Sequence, residues 1–238
     1  MQQLRKLKVK IYADGADLDT MIKMAQEPYI QGLTTNPTLM KKNGVVDYKK
    51  FAKAVLNKIH DKPISFEVFS DDLDEMKMQA LEIAGWGENV NVKIPITNSI
   101  GKPTSELIQY LAQNNVRLNV TALMTIPQVK EIINVLNPKV PSYISVFAGR
   151  IADTGIDPIP MMEQTLKIMS VNKKAELIWA SPREVLNVIQ ADKIGCHIIT
   201  ATSEILTRLN LIGKNLDEYS LETVKMFRND ALESGYSL

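Results

Sequence analysis

Eight short apolar runs, separated by stretches of helical periodicity, constrain this chain more than any other feature. They lie near Lys8–Asp14, Ile30–Thr35, Ile64–Val68, Val90–Ile96, Val116–Thr121, Tyr143–Phe147, Glu176–Ala180 and Cys196–Thr200. Each is rich in β-branched residues and bounded by turn formers, which predicts a strand. Most are apolar at consecutive positions rather than alternating ones. Strands buried on both faces belong to a parallel sheet covered by helices. Helical segments with apolar residues every three or four positions fill the gaps: Asp17–Gln26, Asp47–Ile59, Leu73–Ala84, Thr104–Gln113, Ile126–Leu136, Ile159–Ser170, Pro182–Gln190 and Thr202–Leu209. Asp17, Asp71 and Thr202 suit N-caps, and Pro127, Pro160 and Pro182 suit first helical turns.

Eight strand–helix units in 238 residues leave about 26 residues per unit once the C-terminal segment is set aside, a spacing that favours a closed barrel over an open doubly wound sheet. The expected fold is therefore α/β, a single (β/α)8 TIM barrel domain spanning residues 1–238. A further helix, about 217–233, follows the eighth unit. Its Leu221, Val224, Met226 and Phe227 need a surface, either on the barrel or across a subunit interface. No G-x-G-x-x-G or Walker A pattern is present, which weighs against a nucleotide-binding fold.

Charge and cysteine usage narrow the function classes. Lys plus Arg number 28 and Asp plus Glu 27, so the chain lacks the basic excess of a general nucleic-acid binder. There is no apolar run of about 18 residues, so no membrane span is expected. The basic N-terminus is followed by too short an apolar stretch for an export signal. One cysteine, Cys196, excludes a disulfide framework, and together these features point to the cytoplasm. Two histidines, His60 and His197, argue against a His-rich metal site and read as structural residues.

Barrels carry their chemistry at the C-terminal ends of the strands. The polar residues ending these runs are Asp14, Thr34-Thr35-Asn36, Glu67, Lys93, Asn119 with Thr121, Ser145 with Arg150, Ser181 with Arg183, and Thr200 with Thr202. Lys93 stands inside an apolar strand. Burial favours the neutral amine of a lysine, and a neutral amine attacks carbonyls to form Schiff bases. A snorkelling or salt-bridged lysine would occupy the same position. Asp14 and Glu67 could move protons beside it, or one could simply pair with it. Of only six arginines, Arg150 and Arg183 follow strands six and seven, where barrels often bind phosphate. An exposed helix charge is the other explanation for Arg183.

The segments Gly32-Leu33-Thr34-Thr35-Asn36-Pro37, Val92-Lys93-Ile94-Pro95, Asn119-Val120-Thr121-Ala122 and Ser145-Val146-Phe147, followed by Gly149-Arg150, resemble the transaldolase family of class I Schiff-base barrels. The resemblance implies that Lys93 is the Schiff-base lysine and Asp14 the proton carrier in carbon–carbon cleavage. It implies that Glu67 and Thr121 hold the water of imine formation and hydrolysis. Asn36, Asn119 and Ser145, beside Thr35, would hold the dihydroxyacetone hydroxyls, and Arg150, Ser181 and Arg183 the phosphate. No metal or organic cofactor is implied. The expected reaction is transfer of a dihydroxyacetone unit between sugar phosphates in the non-oxidative pentose phosphate pathway. The alternative within the family is a fructose 6-phosphate aldolase that releases free dihydroxyacetone. That branch typically has Gln and Tyr at the positions of Glu67 and Phe147. A remote alternative is a non-catalytic sugar-phosphate-binding barrel. The resemblance further implies a homo-oligomer, a dimer or a ring-like pentamer or decamer, without nucleic-acid or membrane partners.

Overall fold

The computed structural model describes residues 4–236. Eight strands run in parallel and close on themselves in chain order: β1 Lys10–Asp14, β2 Ile30–Thr34, β3 Ile64–Glu67, β4 Val90–Pro95, β5 Leu118–Leu123, β6 Ser142–Val146, β7 Ala175–Trp179 and β8 Ile198–Thr202. The expected (β/α)8 barrel is the fold observed. Around it lie α1 Leu18–Gln26, α2 Pro37–Lys42, α3 Tyr48–Leu56, α4 Leu73–Ala84, α5 Ser105–Gln113, α6 Ile126–Val135, α7 Ala148–Asp153, α8 Ile159–Met169, α9 Leu186–Lys193 and α10 Ser203–Thr207. The last helix, α11, spans Leu216–Glu233.

Two apolar cores hold this arrangement. The larger fills the space between strands and helices, with Leu33, Phe66, Val92, Val120, Ile144 and Trp179 among its fully buried members. The smaller plugs the lower half of the barrel interior with Tyr12, Tyr143, Ile178 and Ile198. Tyr12 and Tyr143 meet edge to face, and their hydroxyls lie 3.0 Å apart. Gly32 makes room for this plug, because a Cβ there would stand 2.4 Å from the Tyr12 ring. Apolar filling below leaves only the upper layer of the barrel free for polar groups.

Several local expectations need correction. Asp71 does not cap α4; its carboxylate accepts hydrogen bonds from Ser99, and Asp72 is the cap instead. Thr202 stands at the start of α10, yet its side chain makes no capping bond. Pro182 lies outside a helix. Ser181 takes a left-handed backbone conformation, with φ 55°, so the chain loops before α9 begins at Leu186. His197 precedes β8, where Nδ1 accepts a hydrogen bond from the Leu177 amide. Helix α11 does not pack on the barrel: none of its residues is buried, and Leu221, Val224, Met226 and Phe227 are all exposed. Among the described residues no helix is long and apolar enough to cross a membrane.

Candidate active site

The upper mouth of the barrel holds a cavity of about 350 Å³. Ten of the twelve residues that the family resemblance marks line it: Asp14, Asn36, Glu67, Lys93, Asn119, Thr121, Ser145, Phe147, Arg150 and Ser181. Strand register explains their convergence. Glu67 pairs with Lys93 across β3–β4, and Lys93 with Asn119 across β4–β5. Residues paired across parallel strands share a face, so three neighbouring strands aim one polar layer into the barrel.

Lys93 lies at the centre of that layer and is only 6% exposed. Its Nζ is 3.0 Å from Glu67 Oε2 and donates to the Thr35 carbonyl at 2.9 Å. The pairing alternative for this lysine is thus the geometry observed, and its carboxylate partner is Glu67 rather than Asp14. Glu67 is in turn held from outside the barrel, where the Tyr48 hydroxyl donates to its backbone carbonyl at 2.8 Å. Tyr48 is anchored edge to face on Phe66 and Phe69.

Asp14 ends β1 on the same face. Asn36 Nδ2 donates to its Oδ2 at 3.1 Å, and Thr34 Oγ1 donates to its Oδ1 at 2.7 Å. Burial raises its pKa, while the Lys93 charge and the hydrogen bond from Thr34 work in the opposite direction. Asn36 is also the N-cap of α2, its Oδ1 accepting from the Leu39 amide at 2.9 Å, with Pro37 opening the helix. One side chain therefore fixes both a helix start and a carboxylate.

Asn119 and Ser145 form a buried polar row across the cavity floor. Ser145 Oγ donates to Asn119 Oδ1 at 2.7 Å, and Asn119 Nδ2 donates to Ser65 Oγ at 3.0 Å. Thr121 Oγ1 is buried without a hydrogen-bond partner among the described residues. Thr121 sits at an irregularity of β5: the register shifts between Val120 and Leu123, and Ala122 has φ 65°. Such a bulge bends the strand and re-aims its side chains beside a functional site.

Two of the expected residues do not line the cavity. Thr35 is fully buried, and its hydroxyl donates to the Ser65 carbonyl; it meets the site only through its own carbonyl on Lys93. Arg183 lies to the side and forms a two-pronged ion pair with Asp153 at the end of α7. Arg150 faces the cavity at the rim, with its guanidinium 5.7 Å from the centre of the Phe147 ring. Ser181 and Gly149 meet backbone to backbone: a Cβ on Gly149 would fall 1.5 Å from the Ser181 carbonyl oxygen.

Thr200, Thr34 and Ser65 belong to the polar layer and were not among the twelve residues. The two threonines end strand runs, so the sequence carried a signal for them. Ser65 gave none beyond lying two residues before Glu67. Elsewhere, Cys196 is buried and its thiol is pushed up to about 12 by desolvation. Burial lowers the pKa of His197, as suits a neutral acceptor. Both are structural, and neither lines the cavity.

Residues 11–237 match the family described as Transaldolase/Fructose-6-phosphate aldolase. A protein of Clostridium kluyveri named probable transaldolase is 33% identical over 203 residues, covering 84% of this chain and 89% of its own length. One of the same name from a Thermoanaerobacter species is 32% identical over 219 residues, covering 91% and 95%. Among solved structures, the 3-keto-L-gulonate-6-phosphate decarboxylase of Vibrio cholerae superimposes with a TM-score of 0.55 at 12% identity, covering 83% of this chain and 88% of its own. An aldolase/citrate lyase family protein of Burkholderia cenocepacia gives 0.57 at 12% identity, covering 94% and 98%. These two likenesses concern the barrel alone. The family match over nearly the whole length, with the polar layer around Lys93, means that the chain belongs to the transaldolase/fructose-6-phosphate aldolase family.

Proposed function

We propose that the protein is a transaldolase. It moves a dihydroxyacetone unit from a ketose phosphate, such as fructose 6-phosphate or sedoheptulose 7-phosphate, to an aldose phosphate, such as glyceraldehyde 3-phosphate or erythrose 4-phosphate. The observation that carries this reading is the buried Lys93 amine with Glu67 3.0 Å away at the base of the cavity.

Glu67 takes a proton from the Lys93 ammonium, and the neutral amine attacks the C2 ketone. The carbinolamine loses water to give an imine, with Glu67 and the unpartnered Thr121 hydroxyl handling that water. Asp14 accepts the C4 hydroxyl proton, the C3–C4 bond breaks, and its electrons pass into the protonated imine. An aldose phosphate leaves and an enamine remains on Lys93. The enamine adds to a second aldose phosphate while Asp14 returns the proton, and hydrolysis frees Lys93. Asn36, Asn119 and Ser145 hold the hydroxyls of the three-carbon unit. Arg150, Ser181 and Arg183 hold the phosphate. The imine serves as the electron sink, so the scheme needs no metal or organic cofactor.

Phe147 at the cavity wall separates the two activities of the family. A phenol there could donate a proton to the enamine, whereas Phe has no donor. The enamine then persists until an aldehyde arrives, which is group transfer. The relatives named probable transaldolase agree with this reading. The exposed apolar residues of α11 support a homo-oligomer, and the free buried Cys196 suits a reducing cytoplasm. The corresponding pathway is the non-oxidative pentose phosphate pathway.

The test is a donor–acceptor assay. Fructose 6-phosphate with erythrose 4-phosphate yields glyceraldehyde 3-phosphate, and omitting the acceptor yields no free dihydroxyacetone. Borohydride with fructose 6-phosphate leaves a three-carbon adduct on Lys93. Free dihydroxyacetone without acceptor would make the protein an aldolase, and an unlabelled Lys93 would remove the Schiff base altogether.

A further inference from the structure

Thr34 and Thr200 have no role in the scheme above, yet they form one hydrogen-bonded row with Asp14. Thr34 Oγ1 donates to Asp14 Oδ1 at 2.7 Å and lies 2.6 Å from Thr200 Oγ1. Both threonines are buried and both line the cavity. The backbone holds the row in place, because Asp14 pairs with Thr34 across β1–β2 and Tyr12 with Thr200 across β1–β8.

A hydroxyl has one proton to give and two lone pairs to offer. While Asp14 is ionised, Thr34 gives its proton to the carboxylate, so Thr200 must donate to Thr34. Once Asp14 carries a proton, the row can run the other way. The acid donates to Thr34, Thr34 donates to Thr200, and the Thr200 proton turns toward the cavity. Asn36 cannot reverse in this manner. Its Nδ2 donates to Asp14 and its Oδ1 is committed to the Leu39 amide, so it favours only the carboxylate.

We propose that Thr34 and Thr200 form a reversible hydrogen-bond chain, with Thr200 as its terminal positioning residue, that keeps Asp14 satisfied in both protonation states. The chain's use rests on the reading of Asp14 as the group that takes a proton in cleavage and returns it in addition. Such a group needs both of its forms stabilised. The charged groups facing Asp14 are Lys93 from β4, which favours the carboxylate, and Glu67 from β3, which opposes it.

Thr200→Val separates the two directions of the row. The ionised arrangement survives, since Thr34 still donates to Asp14. The arrangement with the proton on Oδ1 does not, because Thr34 then has no acceptor for its own proton, and a buried hydroxyl left unpaired is costly. The proton is confined to Oδ2, where the Asn36 amide already points a donor, so the protonated form is disfavoured. Asp14 in Thr200→Val therefore titrates at lower pH than in the wild type, followed by carbon-13 NMR of the Asp carboxyls with Asp14→Asn for assignment. The addition half-reaction needs Asp14 protonated, so its alkaline limb moves to lower pH, and above that limb its rate falls about threefold to tenfold. Thr200→Ser restores both values. A titration at the same pH would mean that Thr200 merely packs. A titration at higher pH would mean a fixed donor. A Ser variant no better than Val would assign the effect to volume. Each of these results overturns the proposal. The NMR titration needs no turnover, so it judges the chain even if Lys93 forms no adduct, a result that would refute the transaldolase reading alone.

Discussion

The proposed role of Arg183 requires it to exchange one anion for another. In the structure its guanidinium is paired with Asp153, and both side chains are about half exposed. The carboxyl of Asp153 is held below its usual range by that contact. An exposed ion pair is screened by water and holds its partners weakly, whereas charge-assisted hydrogen bonds to a phosphate are stronger. The pair with Asp153 is therefore no barrier to binding a phosphate. Arg183→Ala is expected to raise KM for phosphorylated acceptors roughly fivefold to thirtyfold with kcat nearly unchanged. Steady-state kinetics with and without a phosphate on the acceptor check this, and equal KM changes for both would deny Arg183 a phosphate role. Lys93 differs in kind. Truncating it leaves the half-buried Glu67 carboxylate without its partner, which perturbs the site itself and makes adduct trapping a cleaner test than substitution. Lys93 was legible because a lysine inside an apolar strand is conspicuous. Its choice of Glu67 over Asp14 was not, because that depends on which strands are neighbours and at what register.

Loops set the geometry at the scale of elements. The first turn of α7 and the β7–α9 connection interlock where Gly149 meets the Ser181 carbonyl, with Ser181 itself in the left-handed region. A methyl group at Gly149 would demand that the backbone carrying Ser181 move away, since 1.5 Å is far inside any contact distance. Gly149→Ala should therefore lower stability by about 1–3 kcal/mol and raise KM for sugar phosphates by displacing Ser181 and Arg150 together. Gly85→Ala is the control. It has φ −79° and its nearest neighbour would be the Glu82 carbonyl at 3.4 Å, so its melting temperature should stay near that of the wild type. A Gly149 variant that melts with the control would show that α7 and the Ser181 loop are not interlocked. The same loops mark the limit of sequence periodicity. The eight strands announce themselves through short apolar runs and the outer helices through longer periodic patterns, and α4 runs over Leu73–Ala84 as expected. Helices α2 and α7 have six residues each, less than two turns, which is too short to establish a period. The start of α9 was misplaced because Pro182 suits a first turn, whereas Ser181 turns the chain before the helix forms. The bulge at Ala122 left no mark in composition, since a left-handed residue there is usually Gly or Asn.

The whole molecule leaves one element unaccounted for by its own barrel. Helix α11 is capped by Asn215, whose side chain accepts from the Asp217 and Glu218 amides, so its start is well specified. Yet Phe227 is 62% exposed and Val224 61%, with Leu221 and Met226 little better covered. An isolated helix of 18 residues has only marginal stability in water without a packed face. Burying the exposed half of those four side chains against a second copy would contribute about 1 kcal/mol or more apiece, a useful share of a subunit contact. The near balance of 28 basic and 27 acidic residues puts little net repulsion between copies. Deleting residues 215–238 should then leave the barrel folded, with an unchanged circular dichroism spectrum apart from the lost helix. Light scattering after gel filtration should show the truncated chain as a smaller assembly than the full one. If the full chain is already a monomer, or if both forms assemble alike, α11 is not the contact. Lys93 and the other eleven residues proposed for catalysis and binding all precede residue 215, so the truncated barrel keeps every group assigned to the chemistry. Adduct formation on Lys93 in that variant would show that assembly and imine chemistry are separable, whereas its loss would mean that a neighbouring subunit completes the site.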